Sequence, residues 1–149
     1  VRDMHSWAFN SESSNTLMPY LQLDLPSEYP QDTKRNLARR LGEIYAERMH
    51  TTPRRVSVGF RELTNGGLWR CGEGEPEPGV VMMCDIRRGR PTEWREQLAI
   101  ELLDLCVEHL DVPRERIAIE FTQHAGDEMF RDDEGWARDW SESEAESNA

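Results

Sequence analysis

The feature that most restricts what this chain can fold into is an internal repeat. Shifting the sequence against itself by 61 positions (98 − 37 = 61) aligns Asp24 with Asp85, Pro30 with Pro91, Leu37 with Leu98, Ala38 with Ala99, Leu41 with Leu102, Glu47 with Glu108, Arg55 with Arg116 and Phe60 with Phe121. Conservative pairs fill the gaps: Leu21/Met82, Leu23/Cys84, Leu25/Ile86, Ile44/Leu105, Val56/Ile117 and Val58/Ile119. Self-similarity at one fixed offset means a single supersecondary unit used twice.

Each copy has the same grammar. Leu21, Leu23 and Leu25 alternate with Gln22 and Asp24, and Met82, Cys84 and Ile86 repeat the alternation. Period two marks a strand with one buried face. A proline, Pro30 or Pro91, then opens a helix with an acid behind it, Asp32 or Glu93. Proline at the first turn loses no needed donor, and the acid suits the positive helix end. The spacing of Leu37, Leu41, Ile44, Tyr45 and Met49, and of Leu98, Leu102, Leu105, Cys106 and Leu110, predicts one apolar stripe per helix. A second strand follows in each copy, Val56 to Phe60 and Ile117 to Phe121.

The unit is therefore β-α-β, with a right-handed crossover between parallel strands. Two copies give an α/β (α+β) domain: a four-stranded sheet with two helices on one face. The open sheet face and edges predict an obligate small oligomer. The expected organisation is a leader over 1–18, repeat one over 19–79, repeat two over 80–140 and an acidic tail over 141–149.

At 149 residues and 37% hydrophobic content, the chain makes one domain with a modest core. It holds no apolar run near the roughly 20 residues of a membrane span and no signal peptide pattern. The net charge of −11 opposes a general affinity for nucleic acid. Residues 127–149 hold nine acids and two arginines (2 − 9 = −7), a solvated composition, and the polar opening through Leu17 reads as a flexible arm. Three cysteines without metal or redox spacing suggest a reduced, cytoplasmic protein whose thiols are packing residues. The scattered histidines (His5, His50, His109, His124) form no metal pattern, and Gly72–Pro76 is too acidic for a phosphate loop. Neither a metal nor a cofactor is expected.

The doubled unit of about 60 residues, the Met18-Pro19 that opens its first strand, and Ile86-Arg87-Arg88-Gly89-Arg90 at the end of the matching strand of copy two carry a resemblance. Together they resemble the tautomerase superfamily (4-oxalocrotonate tautomerase-like), and the long, fused members in particular, over Pro19 to about Trp140. The resemblance implies a tautomerase/MIF-like fold, a homotrimer with sites between subunits, and a small carboxylate substrate handled without cofactor. It implies an amino-terminal proline as general acid/base, which falls on Pro19. An unblocked terminal amine titrates near 7.7–8.0, and burial beside cations lowers that value. Such an amine can take a proton from carbon beside a carbonyl. The carboxylate-binding arginines fall on Arg87 and Arg90, a bidentate task suited to guanidinium. Trp69, after the Gly66-Gly67 turn, falls where the family places an aromatic pocket wall.

The likeness is not complete. The histidine of the hydrolytic dehalogenases falls at Tyr45, their tyrosine at Glu120 and their glutamate at Arg131, with Asp132 adjacent; these mismatches argue against dehalogenation. The mechanism also needs Pro19 to be first, which translation from Met18 would provide. With residues 1–18 attached, its nitrogen is an amide.

The expected activity is keto-enol tautomerisation of a 2-oxo or 2-hydroxy-enoic carboxylate. Decarboxylation of a β-keto acid uses the same groups, and a trimeric binding protein is the reading without a free proline. Bland readings stand beside these. Pro19 can begin an edge strand, the arginines can form a solvated loop, and Trp69 can be a packing residue. Glu120, odd on a buried strand, is either a displaced acid at the substrate or an arginine's ion-pair partner.

Overall fold

The computed structural model describes residues 19–147; the leader assigned to 1–18 lies outside the described residues, as do 148 and 149. The first unit is β1 (Tyr20–Leu25), α1 (Gln31–Met49) and β2 (Ser57–Glu62). The second is β3 (Val80–Arg87), α2 (Thr92–Leu110) and β4 (Ile117–His124). A two-stranded hairpin, β5 (Phe130–Arg131) and β6 (Gly135–Trp136), and a short helix α3 (Glu142–Ser147) complete the chain.

The repeat holds down to the caps. Pro30 and Pro91 sit one residue before their helices, with φ −58° and −59°. Asp32 and Glu93 occupy the first turns, where a carboxylate opposes the positive helix end. Both helices stop at a left-handed residue, His50 (φ 54°) and Asp111 (φ 53°), again 61 positions apart.

The main sheet runs β2-β1-β3-β4. Strands are parallel within each unit, Leu21 facing Val58 and Val80 facing Ile117. Between units β1 and β3 are antiparallel, Tyr20 facing Asp85, so the two copies are related by an approximate twofold axis. Leu21, Leu23, Leu25, Met82, Cys84 and Ile86 point to one face and are fully buried against Leu37, Leu41, Tyr45, Met49, Leu98, Leu102 and Leu110 of the two helices. At about 25 cal/mol per Å² of apolar surface removed from water, this layer dominates the folding energy. Arg48 of α1 pairs with Glu101 of α2 across the helix seam. Gln22, Asp24, Val81, Met83 and Asp85 face the other way and stay partly exposed, because neither α1 nor α2 covers that side.

The antiparallel register decides where the functional residues fall. The start of β1 and of β2 lies beside the end of β3 and of β4. Arg116, at the start of β4, belongs to the opposite end of the sheet.

Candidate functional site

Pro19 is buried where the chain enters β1, and its carbonyl accepts the Ser57 N–H at 3.1 Å. Continuing the β1–β3 register sets Pro19 opposite Ile86, one residue before Arg87. Two residues before Ser57 is Arg55, the last residue of a 3-10 turn, Pro53–Arg55. Pro19 is thus flanked on one strand by the approach to Arg55 and on the other by the approach to Arg87.

Arg87 and Arg90 are the only charged side chains buried among the described residues, 8% and 7% exposed. Burying cations is costly unless they are paired and hydrogen-bonded. Arg87 Nη1 donates to the Arg138 carbonyl at 2.8 Å, and its Nη2 to the carboxylate of Glu144 in α3. Arg55 Nη1 approaches the same Glu144 Oε2 at 3.8 Å. Arg90 Nε donates to the Met49 carbonyl at 2.8 Å, at the C-terminal end of α1 where the helix dipole favours a cation. Its guanidinium lies 5.3 Å from the Trp140 ring centroid. Trp140 meets Trp94 edge-on, and Trp94 stacks on His50, so one aromatic wall runs from α1's cap to Arg90. Arg88 points outward and pairs with Asp139 at 2.8 Å.

Gly89 makes the turn between these arginines possible. Its φ of +126° is one L side chains rarely adopt, and a Cβ there would meet the Trp140 carbonyl. The Trp140 N–H in turn donates to the Arg88 carbonyl at 3.0 Å.

Tyr45, on the inner face of α1, completes the cluster. It is fully buried, and its hydroxyl has no hydrogen-bond partner. Burial pushes its phenol up to about 12, against the pull of nearby Arg90 and Arg87. The group is therefore a neutral donor through the physiological range. Burial lowers the Arg90 guanidinium from its ordinary value, and the neighbouring Arg87 and Arg55 act in the same direction. Arg55 Nε and Trp140 Nε1 are likewise buried without a partner. Such unpaired donors around a cationic pocket can hold an anion, since each costs about 1–3 kcal/mol when left unsatisfied.

Of the residues singled out from sequence, Pro19, Arg87 and Arg90 come together at one end of the sheet. Trp69 and Glu120 do not join them within the chain. They line a separate groove of about 300 Å³ with Arg70, Gly79, Val81 and Arg116. Trp69 is 54% exposed, with its Nε1 donating to the Gly66 carbonyl at 2.7 Å. Glu120 is not on a buried face: it points to the open side of the sheet from its register with Met83. Arg131 pairs locally with Asp133 at 3.1 Å. Three cluster members were not singled out from sequence. Arg55 left a trace as the repeat partner of Arg116, whereas Trp140 and Glu144 left none, because their roles depend on the path of the chain after β4. The acidic tail read as solvated forms α3 and sends Glu144 into the arginines. No metal-holding group of His, Cys, Asp and Glu occurs among the described residues.

No family model matches the sequence, and no curated protein is significantly similar to it. Solved structures are similar in shape. A member of the cis-3-chloroacrylic acid dehalogenase family superposes with a TM-score of 0.71 at 19% identity, covering 87% of this chain and 97% of its own. A fused 4-OT solved as a symmetric trimer gives 0.70 at 16% identity, covering 79% and 96%. A protein solved after inactivation by 2-oxo-3-pentynoate gives 0.69 at 19% identity, covering 79% and 94%. The fold of this chain is that of the tautomerase superfamily.

Proposed function

We propose that this chain is a cofactor-independent tautomerase of a small 2-oxo or 2-hydroxy-enoic carboxylate, with Pro19 as the group that moves the proton. The observation that carries the reading is the meeting of the β1 start with Arg55, Arg87, Arg90 and Tyr45 at one end of the sheet. When Pro19 is first in the chain, its ring nitrogen is a secondary amine among cations, an arrangement that favours the neutral, basic form. It takes a proton from the enol oxygen or from the carbon beside the carbonyl and returns one at the other position. The guanidinium groups hold the carboxylate and stabilise the enolate charge. The Tyr45 phenol is a further donor for the developing oxyanion.

The reading includes a homotrimer, as in the fused 4-OT solved as a trimer. Trp69 and Glu120 contact substrate only if a neighbouring copy brings its groove against Pro19. Among the described residues, no helix is long and apolar enough to cross a membrane.

The test compares two forms of the protein, one beginning at Pro19 and one retaining residues 1–18, for ketonisation of phenylenolpyruvate. Activity in the first form, with kcat/KM lowered on the order of 10²- to 10⁴-fold in the retained form and in Pro19→Ala, is expected. The alkynyl ketone 2-oxo-3-pentynoate should add once, at the Pro19 nitrogen, and be located by peptide mass. Inactivity of the form beginning at Pro19 would overturn the tautomerase reading. Carboxylate binding without turnover in both forms would instead support the binding protein.

A further inference from the structure

We propose that the substrate carboxylate is seated between Arg55 and Arg87, in the place that Glu144 of the chain's own C-terminal helix occupies, so that ligand and tail compete for one site. The proposal rests on the reading that this end of the sheet takes a small carboxylate, and it adds Arg55 to the residues that hold it.

The two resemblance-derived arginines are not equivalent. Arg90 is committed to the scaffold: its Nε is on the Met49 carbonyl, its face is over Trp140, and among the described residues it pairs with no carboxylate. Arg87 and Arg55 instead converge on a single carboxylate oxygen, Glu144 Oε2. The Glu144 carboxylate therefore marks where an anion sits in this cluster. A carboxylate can accept from more than one guanidinium, and charge-assisted bonds of this kind are among the strongest hydrogen bonds in proteins.

Arg55 is the under-satisfied member. Its side chain is only 12% exposed, its contact to Glu144 is long at 3.8 Å, and its Nε has no partner. The other half of the molecule supplies a control. Arg116, the repeat equivalent of Arg55, also ends a 3-10 turn ahead of its strand, and it is closely paired to Glu77 at 2.6 Å. The same structural position thus carries a directly paired arginine in one copy and a loosely paired one in the other, next to Pro19. Counting Arg55, Arg87, Arg90 and Glu144 alone, the cluster carries a formal +2 (3 − 1), rising to +3 when Glu144 leaves, so an anion is favoured in the seat it vacates.

The tail is suited to yield. Glu144 lies on a helix of six residues, and its side chain is 27% exposed. A helix this short holds few hydrogen bonds of its own and opens at little cost. A free carboxylate that reaches both arginines can replace it without a change in the core. Affinity is then reduced by the fraction of molecules in which Glu144 already fills the seat.

The experiment is isothermal titration of the form beginning at Pro19 with 2-oxobutanoate, a probe whose binding is read without turnover. Arg55→Ala is expected to weaken binding about tenfold, a loss of one charge-assisted contact. Arg55→Lys should recover part of it. Glu144→Gln is expected to act in the opposite sense, tightening binding several-fold by removing the internal competitor. Circular dichroism checks that each variant is folded, and Glu144→Gln, outside the hydrophobic core, keeps the test informative if Arg55→Ala is not. Unchanged or weaker binding in Glu144→Gln would overturn the proposal, as would unchanged binding in folded Arg55→Ala or no binding in any form. Failure of phenylenolpyruvate turnover with these binding shifts intact would fault the catalytic reading alone.

Discussion

Gly89 lies directly under the backbone of Trp140: a Cβ added at Gly89 would stand 2.3 Å from the Trp140 carbonyl oxygen. The contact locks the arginine-bearing turn to the segment that leads into α3. With φ at +126°, alanine at this position is strained even before the clash. Gly89→Ala should destabilise the protein by about 3 kcal/mol, at the upper end for a single substitution. Thermal unfolding should show a fall of roughly 10 °C with loss of carboxylate binding. An unchanged Tm would mean that the turn can relax away from Trp140.

Arg90 serves stability as well as the site. Its hydrogen bond to Met49 and its place over Trp140 tie the second repeat to the end of the first helix. Arg90→Ala should cost about 2 kcal/mol by leaving that carbonyl and ring without the cation. Lysine keeps the charge but not the planar Nε donor, so Arg90→Lys should recover only part of the loss. Denaturant titration of both variants measures this; equal stability in all three proteins would show that the bond carries no energy.

Tyr45 makes the opposite prediction for its hydroxyl. Because that group is buried without a partner, Tyr45→Phe should be neutral or stabilising by up to about 1 kcal/mol. If the phenol donates to a developing oxyanion, kcat/KM for phenylenolpyruvate should fall roughly tenfold in the same variant. A drop in Tm together with unchanged kinetics would show that the hydroxyl is a structural group.

The thiols give a pH dependence. Burial pushes both Cys84 and Cys106 up to about 12 from an ordinary 9.0, while Cys71 is exposed. In the unfolded chain both buried thiols ionise near 9, so the folded state holds their protons more tightly. Their contribution is therefore complete below pH 9 and is lost as pH rises from 9 toward 12. Urea unfolding should show stability declining across that interval, and Cys84→Ala with Cys106→Ala should flatten the decline. Below it, at pH 8, a disulfide exchange reagent should modify one thiol in the native protein and three after denaturation.

The two β-α-β units and much of their caps are legible in the amino-acid sequence. The alternation of Leu21, Leu23 and Leu25, the stripes at Leu37 to Met49 and Leu98 to Leu110, and Pro30 and Pro91 before the helices are local patterns. They act between residues a few positions apart, and the structure follows them closely. A resemblance, not periodicity, is what singled out Pro19, Arg87 and Arg90 together, and the β1–β3 register continues to Pro19 opposite Ile86, one residue before Arg87. Which ends of the units face each other is set by the sheet register and is not written in any local pattern. The parallel β1–β2 pairing sets Arg55 near Pro19, and the antiparallel β1–β3 register brings that end of the first unit to Arg87 while it sends Arg116 to the opposite end of the sheet, although Arg55 and Arg116 occupy the same place in the repeat. Trp69 and Glu120 share a groove with Arg70 and Arg116, apart from Pro19 within the chain. Glu144 reaches Arg87 across 57 residues and Trp140 covers Arg90 across 50 (140 − 90), contacts set by how the chain turns back after β4. Hydrophobic period and helix caps are written in neighbouring residues, whereas ion pairs among buried arginines exist only once a register has closed them together.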